Sequence, residues 1–241
     1  MNVGVITQAR MASTRLPGKV LMTAGGSTML DHHIDRLQRA GLNVIVATTV
    51  NTEDSLIVDL TRRRGVRCYR GSETDVLQRY LECARNFDLD VVVRVTSDCP
   101  LIDGDVVRAG LEEYLTAGDE EMYVSNTQRR TYPRGMDFEV FATKLLAEAN
   151  ANATKPYQRE HVTPYFYDGS AQWIAVEQFL RPIDASGYRL TLDTSADYSL
   201  IRRLIEEFDG ANVGCSGLVS LLEANPELVA INQSVVQKGI T

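Results

Sequence analysis

Short apolar runs alternate with longer stretches in which apolar residues recur at every third or fourth position through the first hundred residues. Residues 2–7, 43–49 (NVIVATT), 66–69 and 90–95 (DVVVRV) are continuous Val- and Ile-rich runs, the pattern of strands buried on both faces of a parallel sheet. Between them, Met29, Leu30, Ile34 and Leu37, then Leu56, Ile57 and Leu60, then Val76, Leu77, Tyr80, Leu81 and Ala84 mark one face of a helix each. Gly41 and Gly65 stand where helices end, and Asp54 and Thr74 near helix starts. Strands alternating with helices predict right-handed βαβ units, hence an α/β fold.

The second half is less regular. Helices are expected at 105–115, 144–150, 157–167 and 196–208, with one or two more over 217–231, where Pro226 suits a first helical position. Strands are expected at 122–125, 136–141, 173–179 and 189–192. Polar and apolar residues alternate in MDFEVF (136–141), which suggests a half-exposed antiparallel strand. No linker, charge block or repeat divides the chain, so one domain over 1–241 is expected, carrying an irregular insert at about 123–184.

The 241 residues carry 25 Lys plus Arg against 32 Asp plus Glu, a formal charge of −7, which disfavours a nucleic acid polymer or anionic membrane as partner. No apolar run approaches the ~20 residues that cross a bilayer, and the opening MNVGVITQARMAS lacks a basic leader, so a cytoplasmic protein is expected. Cys68, Cys83, Cys99 and Cys215 form no Cys-x-x-Cys pair and read as free thiols. Cys99, between Asp98 and Pro100, is the one cysteine placed to be a nucleophile, though no His lies near it in sequence.

Charge is unevenly distributed: residues 1–30 hold Arg10, Arg15 and Lys19 and no acid, leaving −10 on the rest. These cations follow the first strand, at the carboxyl edge where α/β sheets bind ligands. Neither G-x-G-x-x-G nor the Walker pattern is present, which removes the main support for nicotinamide cofactors and P-loop chemistry. Three unopposed cations beside Ser13, Thr14 and Gly18 suit a polyphosphate; a solvated basic loop is the alternative.

The string ITQARMASTRLPGKVL resembles the N-terminal signature of the sugar-activating cytidylyltransferases, in particular the spore coat polysaccharide biosynthesis protein F branch, with the 3-deoxy-manno-octulosonate and acylneuraminate cytidylyltransferases as relatives. GSETDVLQRY (71–80), RVTSDCPLID (94–103), YPRGMDFEVF (132–141), REHVTPYFY (159–167) and RLTLDTSADYSLI (189–201) resemble that branch in the same order. The resemblance implies a Rossmann-like nucleotide-diphospho-sugar transferase fold, mainly parallel with helices on both faces. It also implies transfer of CMP from CTP to a sugar, sugar acid or sugar phosphate with release of pyrophosphate, and a homodimer.

By that resemblance Arg10 and Lys19 hold the triphosphate with help from Arg15, and Gln8, Ala9, Arg10 and Met11 line the base. Gly71, Thr74, Asp75 and Ser97 border the nucleotide; for Thr74 and Asp75 helix capping is an equal alternative. Asp98 and Asp193 correspond to a pair that binds catalytic Mg2+ in the octulosonate branch, with Asp98 counted among the catalytic residues. A turn-forming role for Asp98 and a capping role for Asp193 are the alternatives, and Asp197 reads as a first-turn acid. Arg134, Asp137, Glu139, Glu160 and His161 are the acceptor candidates. Arg134 departs from the family pattern, where Asp often stands, so it marks either an anionic acceptor or a surface change. His161 is a base, an orienting group or a structural residue, while His32 and His33 look structural. Two other readings compete: a glycosyltransferase of related fold, for which Asp88-x-Asp90 and Asp103-x-Asp105 are the only Asp-x-Asp pairs near the fourth strand, and a non-catalytic nucleotide-binding module.

Overall fold

The computed structural model describes residues 1–237. Its main sheet contains β1 (Val3–Gln8), β4 (Val44–Thr49), β5 (Arg67–Gly71), β6 (Val91–Thr96), β7 (Met122–Ser125), β8 (Glu139–Ala142) and β9 (Ala175–Gln178), in the order β5-β4-β1-β6-β8-β7-β9. A two-stranded ribbon, β2 (Thr23–Ala24) and β3 (Ser27–Thr28), lies outside it. The first four strands of the main sheet run parallel, β8 runs antiparallel to both neighbours, and β7 pairs parallel with β9. The alternating MDFEVF segment yields the one reversed strand of this sheet, but regular pairing begins only at Glu139 and the strand is buried throughout rather than half exposed. Residues 123–184 extend the sheet through β8, β9 and most of β7.

Helices cover both faces. On one side α1 (Met29–Arg39), α2 (Ser55–Arg64) and α4 (Gly104–Ala117) pack Leu30, Ile34, Ile57, Leu60 and Val107 against Val5, Val46, Val93 and Val140. On the other, α3 (Val76–Asn86) and α5 (Thr143–Asn152) pack Leu77, Tyr80, Leu145 and Leu146 against Ile6, Ile45, Val92 and Phe141. Alternate residues of each central strand thus enter different cores, which is why the runs lack polar interruptions. A third core joins Leu190 and Leu192 to α8 (Ser195–Phe208) and α9 (Cys215–Ala224). α10 (Pro226–Ala230) follows, with Pro226 opening it.

Two expectations are corrected. The helix expected over 157–167 is broken into α6 (Pro156–His161) and α7 (Pro164–Tyr167), because Val162 takes a left-handed φ of 75° and Pro164 cannot continue the preceding turn. Residues 189–192 form no strand of the sheet, only an isolated bridge between Arg134 and Arg189. Their backbone hydrogen bonds go to loops instead: Leu190 N–H to the Arg134 carbonyl and Leu192 N–H to the Asp98 carbonyl, each at 2.7 Å.

Candidate active site

Parallel β1, β4, β5 and β6 end on one edge, where Gln8, Thr49, Gly71 and Thr96 open four adjacent loops. The Asp98 carbonyl, held by Leu192 N–H and by the hydroxyl of Thr191, 93 residues away, draws this segment against the edge and delivers Asp193. Gly135 makes the approach feasible: it has φ of 100°, and a Cβ there would lie 2.6 Å from the Leu190 carbonyl carbon. Asx-turn and capping roles would both use side-chain oxygens, and those of Asp98 and Asp193 instead meet Lys19 and Arg15 of the first loop. Thr194, not Asp193, caps α8.

Lys19 bridges the two carboxylates. Its Nζ lies 2.9 Å from Asp98 Oδ2 and 2.9 Å from Asp193 Oδ1. Arg15 reaches the other Asp193 oxygen at 3.0 Å. Burial opposes the charge on Lys19, but the two carboxylates together raise its pKa above the ordinary value. Burial also pushes the Asp98 carboxyl up, and the Lys19 ammonium with the Thr96 hydroxyl outweighs it, so Asp98 stays ionised below the usual carboxylate range. On the far side, Arg189 pairs with Asp193 at 3.0 Å and with buried Asp197 at 2.8 Å. Asp197 also completes the capping box of α8 and accepts from Asn232 at 2.9 Å, so it does more than favour the helix dipole.

Hard oxygen donors suit magnesium. Among the described residues no group of three or more His, Cys, Asp or Glu side chains could hold a metal ion, so two carboxylates would leave the remaining positions to water and phosphate oxygens. That is the usual division of ligands for Mg2+ at a nucleotide. Both carboxylates turn toward one position, filled by the Lys19 ammonium at 2.9 Å from each.

Other site candidates take different positions. Arg10, half exposed, faces Glu73 at 3.8 Å rather than the Asp98–Asp193 pair. Ala9 is buried, its N–H donating to the Ala47 carbonyl at 3.2 Å, and Met11 N–H donates to Asp54 at 2.7 Å. Ser97 is buried and donates to the Gln8 carbonyl at 2.7 Å. Thr74 is exposed; Asp75 caps α3 through Gln78 N–H at 3.0 Å and also pairs with Arg159.

The acceptor candidates have different immediate partners. Arg134 lines a cavity of about 280 Å³ with Tyr188, Arg189 and Asn232. Asp137 forms a two-bond pair with Arg130 at 2.6 and 2.8 Å. Glu139 is buried and fully engaged by Arg94, the Tyr123 hydroxyl and the Thr163 hydroxyl. Glu160 is exposed, and burial lowers the pKa of His161. Cys99 is buried, and burial drives its thiol well above the ordinary value, which removes it as a nucleophile. Asp88 and Asp90 precede β6 at the opposite edge, and Asp103 caps α4, so neither Asp-x-Asp pair reaches the site.

Sequence reasoning missed four residues. Asp54, read as a helix start, turns inward: it holds Met11 N–H, Thr49 N–H at 3.3 Å and the Thr49 hydroxyl, tying the first loop to the end of β4. His33, read as structural, links the Cys99 carbonyl and the Thr7 hydroxyl at 2.9 Å each, and Thr7 meets Ser97 at 2.9 Å. A carbonyl only accepts, so His33 Nδ1 carries the proton and Nε2 accepts from Thr7. Burial lowers its pKa to about 4, keeping it neutral. Arg189 and Arg79 were the other charged groups passed over. Nothing in local spacing distinguishes these residues from capping acids and amphipathic-face cations.

Comparison with known proteins places these features. A family model described as cytidylyltransferase matches residues 4–218. Spore coat polysaccharide biosynthesis protein SpsF of Bacillus subtilis is 32% identical, the match covering 92% of this chain and 94% of that protein. The structure of a cytidylyltransferase from Leptospira borgpetersenii superposes with a TM-score of 0.91 at 34% identity, covering 99% of this chain and 100% of the other. A CMP:2-keto-3-deoxy-manno-octonic acid synthetase complexed with CTP shares the fold, with a TM-score of 0.64 at 19% identity over 85% of this chain and 98% of that one.

Proposed function

The chain belongs to the cytidylyltransferase family and has the nucleotide-diphospho-sugar transferase fold, and from that premise we propose that it transfers CMP from CTP to a sugar, sugar acid or sugar phosphate, releasing pyrophosphate, in cell-surface polysaccharide synthesis. One observation carries the reading: Lys19 on the first loop sits between Asp98 and Asp193, 2.9 Å from each, at the nucleotide-facing edge of the sheet.

In this reading Lys19 and Arg15 exchange their carboxylate partners for phosphate oxygens, and Arg10 leaves Glu73 to join them. A cation that trades one anion for another loses little pairing energy, so binding is governed by geometry. Asp98 and Asp193 are the residues that would hold Mg2+, which would offset phosphate charge when bound. Lys19 then neutralises negative charge growing on the pyrophosphate leaving group while the acceptor oxygen attacks the α-phosphorus. His33, donating to the Cys99 carbonyl, and Ser97, donating to the Gln8 carbonyl, keep the loop bearing Asp98 fixed to the end of β1. Support for a sugar-acid acceptor comes from the octonic acid synthetase sharing the fold, and for polysaccharide synthesis from SpsF. Arg134, Asp137, Glu160 and His161 remain the acceptor-side candidates. Glu139 supports them from within the fold by orienting Arg94 and Thr163. By family resemblance the enzyme is a cytoplasmic homodimer.

The test is pyrophosphate release from each of the four nucleoside triphosphates with Mg2+, against pooled sugar phosphates and sugar acids. Acceptor-dependent release from CTP alone is expected. CTP binding without turnover across a broad panel would favour a regulatory module instead.

A further inference from the structure

Arg79 on α3 is 2% exposed, yet its charge is poorly accommodated. Its guanidinium donates through Nη1 to the Ser72 carbonyl at 2.6 Å, while its buried Nε has no partner. Among the described residues it forms no ion pair. Other arginines of the interior are better compensated: Arg94, whose Nε is likewise unpartnered, pairs with Glu139, Arg189 pairs with Asp193 and Asp197, and Arg36 donates to the carbonyls of Ile102, Gly210, Ala211 and Val213. Burying a guanidinium with so little compensation is costly to the fold, and such costs concentrate at functional sites.

Its place in the molecule points to the use. The Arg79 stem passes beneath Gly71, where an added Cβ would lie 2.9 Å from Arg79 Cγ, so the last residue of β5 has to be glycine for the stem to fit. The guanidinium thereby anchors the 72–75 loop from below. That loop meets the loops after β1 and β4 through Arg10–Glu73 and Asn51–Glu73, the latter at 2.7 Å. The phosphate-type cations Arg15 and Lys19 gather with Asp98 and Asp193 on the β6 side of β1, and the β4 and β5 loops lie on the opposite side. A nucleotide whose triphosphate lies along the first group has its base over the second.

We propose that Arg79 is a positioning residue for nucleobase selection: by holding the Ser72 carbonyl it fixes the 72–75 backbone against the pyrimidine edge, so that this loop discriminates cytosine from uracil. The proposal rests on the CTP-dependent reading above. Arg79 touches no reacting atom, and its effect passes through the loop.

The test is calorimetric binding of CTP and of UTP, with Mg2+, to the wild-type chain, Arg79→Met and Arg79→Lys, together with thermal melting of each. Arg79→Met is expected to melt at the wild-type temperature or higher, since an apolar side chain of similar length replaces an unpaired buried charge. It is expected to lose at least ~10-fold in preference for CTP over UTP. Arg79→Lys, which keeps a donor for Ser72, is expected to recover part of that preference. Equal weakening for both nucleotides, unchanged preference, or a destabilised or unfolded Arg79→Met chain would each assign Arg79 a structural role and overturn the proposal. A wild-type chain that binds no CTP would instead overturn the functional reading.

Discussion

Replacing Lys19 with methionine removes the ammonium while keeping a stem of similar length, so the variant isolates the charge that joins Asp98 to Asp193. Removing one partner from a fully buried ion pair costs about 3–5 kcal/mol. Here the Lys19 side chain is 12% exposed and Asp193 9%, but Asp98 is 26% exposed. Arg15 and Arg189 each remain 3.0 Å from Asp193. Partial hydration of one carboxylate and two surviving partners on the other reduce the cost to about 2 kcal/mol. For a chain of this size that corresponds to a melting temperature roughly 4–8 °C lower. The pH profile gives a sharper signature. Asp98 is depressed below its ordinary 3.8, so its contribution is complete above 3.8 and is lost as pH falls through the lower folded value. Lys19 is raised above 10.5, so its contribution is complete below 10.5 and is lost as pH rises through the higher folded value. The gap between wild type and Lys19→Met is therefore flat across neutral pH and closes at both extremes. Turnover of the variant is expected to fall at least ~100-fold, as for loss of a group that stabilises transition-state charge. Differential scanning calorimetry from pH 3 to about 11, with pyrophosphate release at neutral pH, provides the assay. A Lys19→Met chain that melts with wild type at pH 7, or turns over normally, would refute the bridging role.

Further consequences follow from the same geometry. Asp98→Asn is expected to leave the fold intact and lower turnover at least ~100-fold, and chelation of divalent cations to abolish wild-type turnover until Mg2+ is restored; full activity in either case would remove the metal assignment. Asp197→Asn leaves Arg189 with Asp193 as its one carboxylate partner and is expected to cost about 3 kcal/mol, read as a lower denaturation midpoint with unchanged slope; an unaltered midpoint would show that the Arg189 network contributes little. Cys99→Ala is expected to retain turnover within about 2-fold because the thiol is buried and protonated, and resistance of the wild type to thiol alkylation would agree with it.

The parallel half of the fold was legible because each strand enters two cores, which forces Val-rich runs such as VIVATT and VVVRVT, the latter broken only by Arg94, whose charge is paired with Glu139. Legibility failed at 189–192, where RLTL has a strand's composition but bonds to two loops. It failed again at 157–167, where a continuous amphipathic pattern hides the Val162 break. Within the site, the conjunction of Lys19, Asp98 and Asp193 could be anticipated from motif resemblance, but only Asp98 directly follows a strand, while Asp193 arrives on a segment that bonds to loops. Glu139 illustrates the opposite case: it belongs to a matched motif, yet its carboxylate is consumed by Arg94, Tyr123 and Thr163 inside the protein. Asp54 and Arg79 were invisible as site residues because their roles depend on which way a side chain turns at a helix start or on a helix face. Periodicity is indifferent to that choice when the group is long and polar.

Phosphorus NMR of a reaction containing CTP, Mg2+ and an acceptor that supports turnover tests the proposed chemistry most directly. Attack at the α-phosphorus yields free pyrophosphate and, in equal amount, a cytidine product showing one phosphodiester resonance for a hydroxyl acceptor or a coupled pair of diphosphate resonances for a sugar phosphate, and that result is expected. Formation of CDP with inorganic phosphate, or consumption of a nucleotide sugar in place of CTP, would contradict it.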